Sequence, residues 1–247
     1  SVRQLDIQKD ISPFRHLLSL ENTRKATAEA FIRYIRPEHL DPEALVKCYT
    51  SWELSKEDTL LLQLKSHHEA DMIGLLHLHS LSAYTQFFRG RFAKVHLCRL
   101  EENFCHLALI LETPVPQRFQ LSNALLSLSL EKDTAHLVIP VLSGELKYFL
   151  PGPVKDYYYL PKEDRAIHRS IACYVDKAYR QKATAATCYI RQEGIFLPSF
   201  DTSLQPTFRK SFDDKQLYIL CDTEKLTSDP AFLRSYISSL IKEVASV

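Results

Sequence analysis

The stretch LLSLSLEKDT at residues 125–134 decides the fold class of the second half of the chain. Leucine and serine alternate from Leu126 to Leu130, which is the period of a β-strand with one buried face, and polar turn residues follow. A second apolar run covers residues 104–111 and is also typical of a strand. The sequence therefore predicts a β-rich region that begins after Gly90.

The first third of the chain instead places apolar residues at helical spacing. Asp41 followed by Pro42 is a favourable N-cap and first-turn pair, and it predicts a helix that carries Leu45. Ser55 predicts the start of the next helix, because acidic residues follow it in the positive first turn. We expect helices to dominate residues 11–88.

Helical spacing returns in residues 162–186, where apolar residues recur at four-residue steps, and we predict a helix there. Two strand-like pieces follow, and then an amphipathic helix over residues 228–244 that Asp229 caps. The mixture predicts an α+β fold in two domains, residues 1–90 and residues 91–247.

Composition excludes several classes of protein. The 247 residues are 45% hydrophobic with a formal net charge of +1, so the chain has enough apolar residues for a packed core and is not a polyelectrolyte. Its six cysteines form no C-x-x-C pair, and we find no signal-peptide pattern or long apolar span, so we expect a cytoplasmic protein with no membrane partner. Met72 is the only methionine. We therefore expect an excerpt of a longer protein, a processed product or an incomplete reading frame; the alternative is that only an initiator methionine was removed.

The densest polar cluster is SHHEAD, at residues 66–71. His67 and Asp71 are four residues apart, so on a helix their side chains lie on one face, about 5 to 6 Å apart at the β-carbons. This pairing is typical of a metal ligand beside a general base. The alternative is an ordinary solvated helix surface.

Five short segments occur in a set order along the first third of the chain. They are LDI at residues 5–7, PFRHLLSLEN at 13–22, KATAEAF at 25–31, HHEAD at 67–71 and LSAYTQFF at 81–88. In that order they resemble the later half of the YprB-type ribonuclease H-like family of bacterial exonucleases, in the DEDD superfamily. There are two departures, since Asp41-Pro42 replaces a pair of glycines and His68 replaces an asparagine. Segments between residues 144 and 198 are similar to an accessory region of some Firmicute relatives.

The resemblance implies that Asp71 is the last metal-binding carboxylate and that His67 is the base-like catalytic residue. In such a family, four acidic side chains hold two Mg²⁺ or Mn²⁺ ions, which activate water and stabilise the leaving oxygen. Motifs that precede residue 5 supply the other three carboxylates. The resemblance thus implies a catalytically incomplete part of a 3′-5′ exonuclease that acts on nucleic-acid 3′ ends. It also implies the helical C-terminal half of a ribonuclease H-like domain, followed by a mixed β-sheet and helix accessory domain.

The segment from residue 165 to residue 191 is locally basic and rich in tyrosine. Its cations are Arg165, Arg169, Lys177, Arg180, Lys182 and Arg191, and the interleaved rings are Tyr174, Tyr179 and Tyr189. Asp176 is the single acidic residue among them. Cations for phosphates and rings for bases are what a single-strand path requires. The alternative is a solvated helix face with its tyrosines in the core.

Other chemistries have weaker support. His77 and His79, followed much later by Tyr174 and Lys177, imitate a rolling-circle nuclease, but that histidine pair needs a strand and its surroundings predict a helix. Cysteines and histidines lack the spacing of a structural zinc site, and no glycine-rich phosphate motif is present. The competing class is a non-catalytic nucleic-acid-binding or interaction module built on residues 91–247.

Overall fold

The computed structural model describes residues 6–35 and 40–246, and it confirms an α+β fold. Leu5, in the first of the resembling segments, lies outside the described residues. The helices are α1 (Ile7–Ile11), α2 (Lys25–Phe31), α3 (Pro42–Ser55), α4 (Asp58–His79), α5 (Ser82–Phe88), α6 (Arg169–Ala172), α7 (Thr223–Ser228) and α8 (Pro230–Ser246). In the described part of the chain, no helix combines enough length with enough hydrophobicity to cross a bilayer.

The strands form three antiparallel sheets. They are β1 (Lys94–Glu101), β2 (Phe104–Ile110), β3 (Phe119–Ser122), β4 (Ser127–Glu131), β5 (Thr134–Pro140), β6 (Leu142–Phe149), β7 (Tyr157–Leu160), β8 (Arg165–His168), β9 (Gln181–Lys182), β10 (Tyr189–Ser199) and β11 (Leu217–Leu220). The largest sheet has the order β1-β2-β5-β4-β3, and the others are β11-β10-β6 and β8-β7-β9. The strands predicted from the alternation at residues 126–130 and from the apolar run at residues 104–111 are confirmed as β4 and β2. The strand pairs β1/β2 and β4/β5 are joined by short turns.

The larger hydrophobic core joins α1, α2, the end of α4 and α5 to the five-stranded sheet and to β10, β11, α7 and α8. Phe88 of α5 is fully buried in it, together with apolar residues from one face of α8. Leu107, Leu137 and Leu128 lie side by side on β2, β5 and β4 and belong to the same core. The core therefore includes residues from both sides of the domain boundary predicted near Gly90, and that boundary stays a prediction.

Gly90 is required where the end of α5 meets α8. Its φ is +80°, a region that favours glycine, and a β-carbon at this position would collide with the carbonyl oxygen of Arg234. The backbone of the α5 terminus therefore packs directly against the backbone of α8. This close approach ties the first third of the chain to its last helix.

Two local predictions are confirmed and one is wrong. Asp41 caps α3, since its Oδ1 accepts a hydrogen bond of 2.7 Å from the N–H of Ala44, and Asp229 accepts one from Phe232 in the first turn of α8. Ser55 does not cap the next helix. It is the last residue of α3, and α4 begins only at Asp58. The reason is that the intervening Lys56 adopts a left-handed φ of +57° and closes α3 through its own N–H.

The helix predicted for residues 162–186 is also wrong. Strand β7 pairs with β8 through a turn in which Asp164 has a φ of +50°, and only the four residues of α6 are α-helical. A single 3₁₀ turn, Lys177–Tyr179, follows. The prediction rested on apolar residues at four-residue steps. One of them, Ile171, is 59% exposed, so the spacing does not correspond to a buried helical face.

Candidate functional site

Helix α4 places His67 and Asp71 one turn apart at half-buried positions. The Nζ atom of Lys25, on α2, lies 2.9 Å from Oδ1 of Asp71, and both side chains are about one-third exposed. The ring nitrogen Nδ1 of His67 accepts a hydrogen bond of 3.3 Å from the backbone N–H of Leu40. The two predicted residues therefore lie at the interface between α4 and the preceding segment, and Asp71 has a cation beside it.

A second carboxylate approaches the same side of α4. Glu29 is only 6% exposed, and its Oε1 would lie 3.0 Å from a β-carbon added at Gly74, one turn after Asp71. A larger residue at position 74 would therefore crowd the carboxylate of Glu29. The ring of Tyr34 stacks on His77 at 4.6 Å. The hydroxyl of Tyr34 is buried and has no hydrogen-bond partner among the described residues.

We call Lys25, Glu29, His67 and Asp71 the α2/α4 cluster. Lys25 and Glu29 were not among the predicted site residues. Their four-residue spacing on α2 puts them on one helix face, and this spacing could have predicted that they lie together. Within residues 6–35 and 40–246, no three His, Cys, Asp or Glu side chains are arranged to hold a metal ion. The ammonium group of Lys25 balances the charge of Asp71 instead. The described residues do not by themselves fit a Mg²⁺ or Mn²⁺ cage.

The basic residues of the 165–191 segment divide into two groups. Three are held by neighbours: Arg169 pairs with Asp156 at 3.2 Å, Arg180 donates to the carbonyl of Ala172 and covers the Tyr158 ring, and Arg191 pairs with Glu145 at 3.1 Å. The other three are exposed, with no side-chain partner among the described residues. They are Arg165, Lys177 and Lys182.

The tyrosines of this segment also divide. Tyr174 is 90% exposed and Tyr179 is 51% exposed. The alternative interpretation, in which the tyrosines of this segment pack into the core, is therefore wrong for these two rings. The ammonium group of Lys162 lies 4.6 Å from the centre of the Tyr179 ring. Tyr189, in contrast, is buried on β10. The structure therefore leaves two rings and three cations at the surface around α6 and β9.

Asp164 forms a polar cluster that the sequence analysis missed. Its Oδ1 accepts hydrogen bonds from the hydroxyls of Tyr159 and Tyr189, and its Oδ2 lies 3.5 Å from Nε of Arg191. These hydroxyls, with the guanidinium of Arg191 and the ammonium of Lys147, hold the pKa of Asp164 below its usual value, while hydrogen bonding to the carboxylate raises the pKa of Tyr159. The cluster fastens the β7/β8 turn to β10. Asp164 therefore has a structural role, because it joins two sheets.

No family model, curated protein or solved structure matches this chain. The function must therefore be inferred from two features of the molecule: the α2/α4 cluster, and the exposed cations and rings around α6.

Proposed function

We propose that this chain is the C-terminal part of a ribonuclease H-like, metal-dependent 3′-5′ exonuclease, and that it is catalytically incomplete by itself. In this proposal residues 1–90 are the helical end of the nuclease domain and residues 91–247 are an accessory α+β domain. The observation that carries it is the position of Asp71. Its carboxylate is half-buried at a helix interface, one turn after His67 and paired with Lys25.

The pair with Lys25 supports the second part of the proposal. An ammonium group lies 2.9 Å from the carboxylate of Asp71 and compensates its charge. In a complete two-metal site that compensation comes from the metal ions, which need several carboxylates. Because the described residues form no such cage, we expect no metal-dependent cleavage by this chain.

The test compares two lengths of protein on a 3′-labelled single strand in the presence of Mg²⁺ or Mn²⁺. We expect no cleavage by residues 1–247, and cleavage from the 3′ end once the upstream coding sequence is included. In the longer protein, Asp71→Asn should reduce the rate by at least about a hundredfold, because it removes a metal-binding carboxylate. The matched control is Asp58→Asn, an exposed acidic residue at the start of the same helix. Full activity of the Asp71→Asn protein contradicts the assignment.

A second function, non-catalytic binding of single-stranded nucleic acid, is favoured by the surface around α6. Exposed rings stack on bases, and cations release counterions from phosphates. Tyr174 is 90% exposed, so both faces of its ring are accessible to a base. Arg165, Lys177 and Lys182 supply charge on the same part of the chain.

The two groups of cations give this function an internal control. We expect the triple variant Arg165→Gln, Lys177→Gln, Lys182→Gln to weaken binding and to reduce the slope of log K against log salt by about 0.7 for each phosphate that the variant no longer neutralises. The triple variant Arg169→Gln, Arg180→Gln, Arg191→Gln removes the same charge from side chains that neighbours already hold. It should lower thermal stability and change the salt slope less. Equal slopes for the unmodified chain and both variants would exclude this surface.

A further inference from the structure

A large cleft lies away from the α2/α4 cluster. It has a volume of about 600 Å³ and is bounded by α8, by residues 200–202 after β10, and by Arg89 at the end of α5. Clefts of about 300 to 1,000 Å³ are the usual size for small-molecule sites. The cleft is therefore large enough for a ligand of nucleotide size.

Helix α8 explains why this cleft is polar. Its apolar residues recur at helical spacing and are buried in the core, including Leu233, Ile237 and Leu240. The opposite face presents residues with short hydroxyl or cationic side chains, including Ser238 and Lys242. Because the serines are small, they leave space above the helix. The hydroxyls of Ser239 and Ser246 donate to carbonyl oxygens of α8, so these two present acceptor lone pairs to a ligand.

Two arginines at the cleft are each held by residues that do not line it. Arg89 donates to Asp10 at 3.0 Å in an ion pair. Arg234 donates to the carbonyl oxygen of Phe92 at 2.9 Å, and the same Nη2 atom lies 3.7 Å from Oε1 of Glu112. Both bonds use the Nη2 atom, whereas a guanidinium has five N–H donors. Among the described residues, neither arginine forms a hydrogen bond through Nη1 or Nε. These donors are therefore oriented and available, which is the arrangement that favours an oxyanion.

The cations of the cleft differ in how far carboxylates neutralise them. Arg89 and Arg234 have Asp10 and Glu112 as ion-pair partners. The third cation, Lys242, has no ion-pair partner among the described residues, and the lining also contains Asp201 and Glu243. Asp201 is engaged in its own turn, because its Oδ1 accepts a hydrogen bond of 2.8 Å from the N–H of Ser203. Hydrogen bonds from Ser203, and the nearby charge of Lys242, hold the pKa of Asp201 below its usual value. Lys242 is therefore the cation of the cleft that is most available to an anion.

We propose that this cleft binds a phosphate-bearing small molecule of mononucleotide size. Arg89, Arg234 and Lys242 bind the phosphate, the hydroxyls of α8 contact the sugar, and the half-buried ring of Phe200 packs against the base. The site shares no residue with the α2/α4 cluster or with the surface around α6. It is therefore independent of the proposed function.

The test is a calorimetric titration of the full chain with three probes: a 5′-mononucleotide, the same nucleoside without phosphate, and inorganic phosphate. We expect the mononucleotide to bind most tightly and the nucleoside to bind at least about tenfold more weakly, since it lacks the charge-assisted hydrogen bonds. Equal binding of nucleotide and nucleoside overturns the phosphate assignment. Inorganic phosphate binding as tightly as the nucleotide overturns the assignment of a nucleotide-sized ligand.

Variants of Lys242 locate the site. This side chain is exposed, and its ammonium group forms no hydrogen bond among the described residues, so Lys242→Gln and Lys242→Glu should fold normally. We expect about tenfold weaker nucleotide binding for Lys242→Gln and a further loss for Lys242→Glu, whose negative charge repels phosphate. The matched control is Lys65→Gln, an exposed lysine on α4 that does not line the cleft. Nucleotide affinity that is unchanged in both Lys242 variants overturns the proposal.

Discussion

The two longest helices of the described chain differ in what they bury. Over 17 residues, α8 buries six side chains in the core, and its apolar residues lie on one face. Over 22 residues, α4 buries only Ala70, Gly74 and Leu78, while large apolar side chains such as Leu62 and Leu76 remain exposed. Length and hydrophobic content alone therefore do not make a helix part of a core. The arrangement of apolar residues around the helix decides it.

This difference predicts unequal stability. Helices α3 and α4 follow each other with only Lys56 and Glu57 between them, and we call this pair the α3/α4 hairpin. Burial of apolar area is the main stabilising contribution to folding, and α8 has far more of it than this hairpin. Regions with few buried apolar contacts open locally at lower free energy than the global unfolding reaction. We therefore expect the hairpin to open while the sheets, α5 and α8 remain folded.

The largest expected effect is on the core side of this comparison. Phe88 is fully buried, and its ring lies 5.2 Å from that of Phe14 and 5.6 Å from that of Phe119. We expect Phe88→Ala to lower the free energy of unfolding by about 3–5 kcal/mol, because it removes buried area and leaves a cavity. Leu76→Ala, at a side chain that is 75% exposed on α4, should change it by less than about 0.5 kcal/mol. Urea unfolding of both variants measures this, and equal losses would show that the exposed side of α4 contributes as much stability as the core.

An effect of intermediate size is expected in cysteine labelling, which compares how easily the two regions open. Cys173 is exposed, Cys48 is buried on α3, and Cys105 is buried on β2. Under native conditions we expect iodoacetamide to label Cys173 first, Cys48 through local opening of the hairpin, and Cys105 last. The hydrogen bond with the Cys221 thiol, together with burial, raises the pKa of Cys105 to about 12, which lowers the thiolate fraction that reacts.

The labelling order is read by mass spectrometry of peptides, with rates compared in the unfolded protein as the control for intrinsic reactivity. In denaturant all three thiols should react at similar rates, since both the burial and the neighbouring thiols are then removed. If Cys48 and Cys105 become labelled together in the native protein, the hairpin and the sheet open as one unit, which contradicts the predicted difference in stability.

The smallest expected effect concerns the ion pair that joins α2 to α4. Lys25 and Asp71 are each about one-third exposed, so solvent screens their attraction. A double-mutant cycle of Lys25→Met and Asp71→Asn should give a coupling energy of about 0.2–1 kcal/mol at low salt, and less at high salt. A coupling well above that range would show that electrostatics, rather than apolar packing, holds α4 in place.

Several elements could be predicted from the sequence because the signals are local. Leucine and serine alternate in β4, and the strand forms where the alternation lies. Asp41 caps α3 because the side chain and the N–H groups it accepts from are only a few residues apart. In the same way, the four-residue spacing of His67 and Asp71 was sufficient to place both on one side of α4.

Only the tertiary structure decided the partners of these elements. Lys25 reaches Asp71 across 46 positions of sequence, and Arg89 lines the same cleft as Lys242, because the chain path and not the local pattern brings them together. The segment 162–186 failed as a helix for the same reason. Its residues at helical spacing found no face to bury, whereas the tyrosine-rich strand β7 supplied backbone partners on both edges. Local propensity is weak compared with the hydrogen bonds and buried area that a neighbouring strand provides. The sequence by itself therefore determined which helices and strands were able to form, and tertiary packing determined which of them did form.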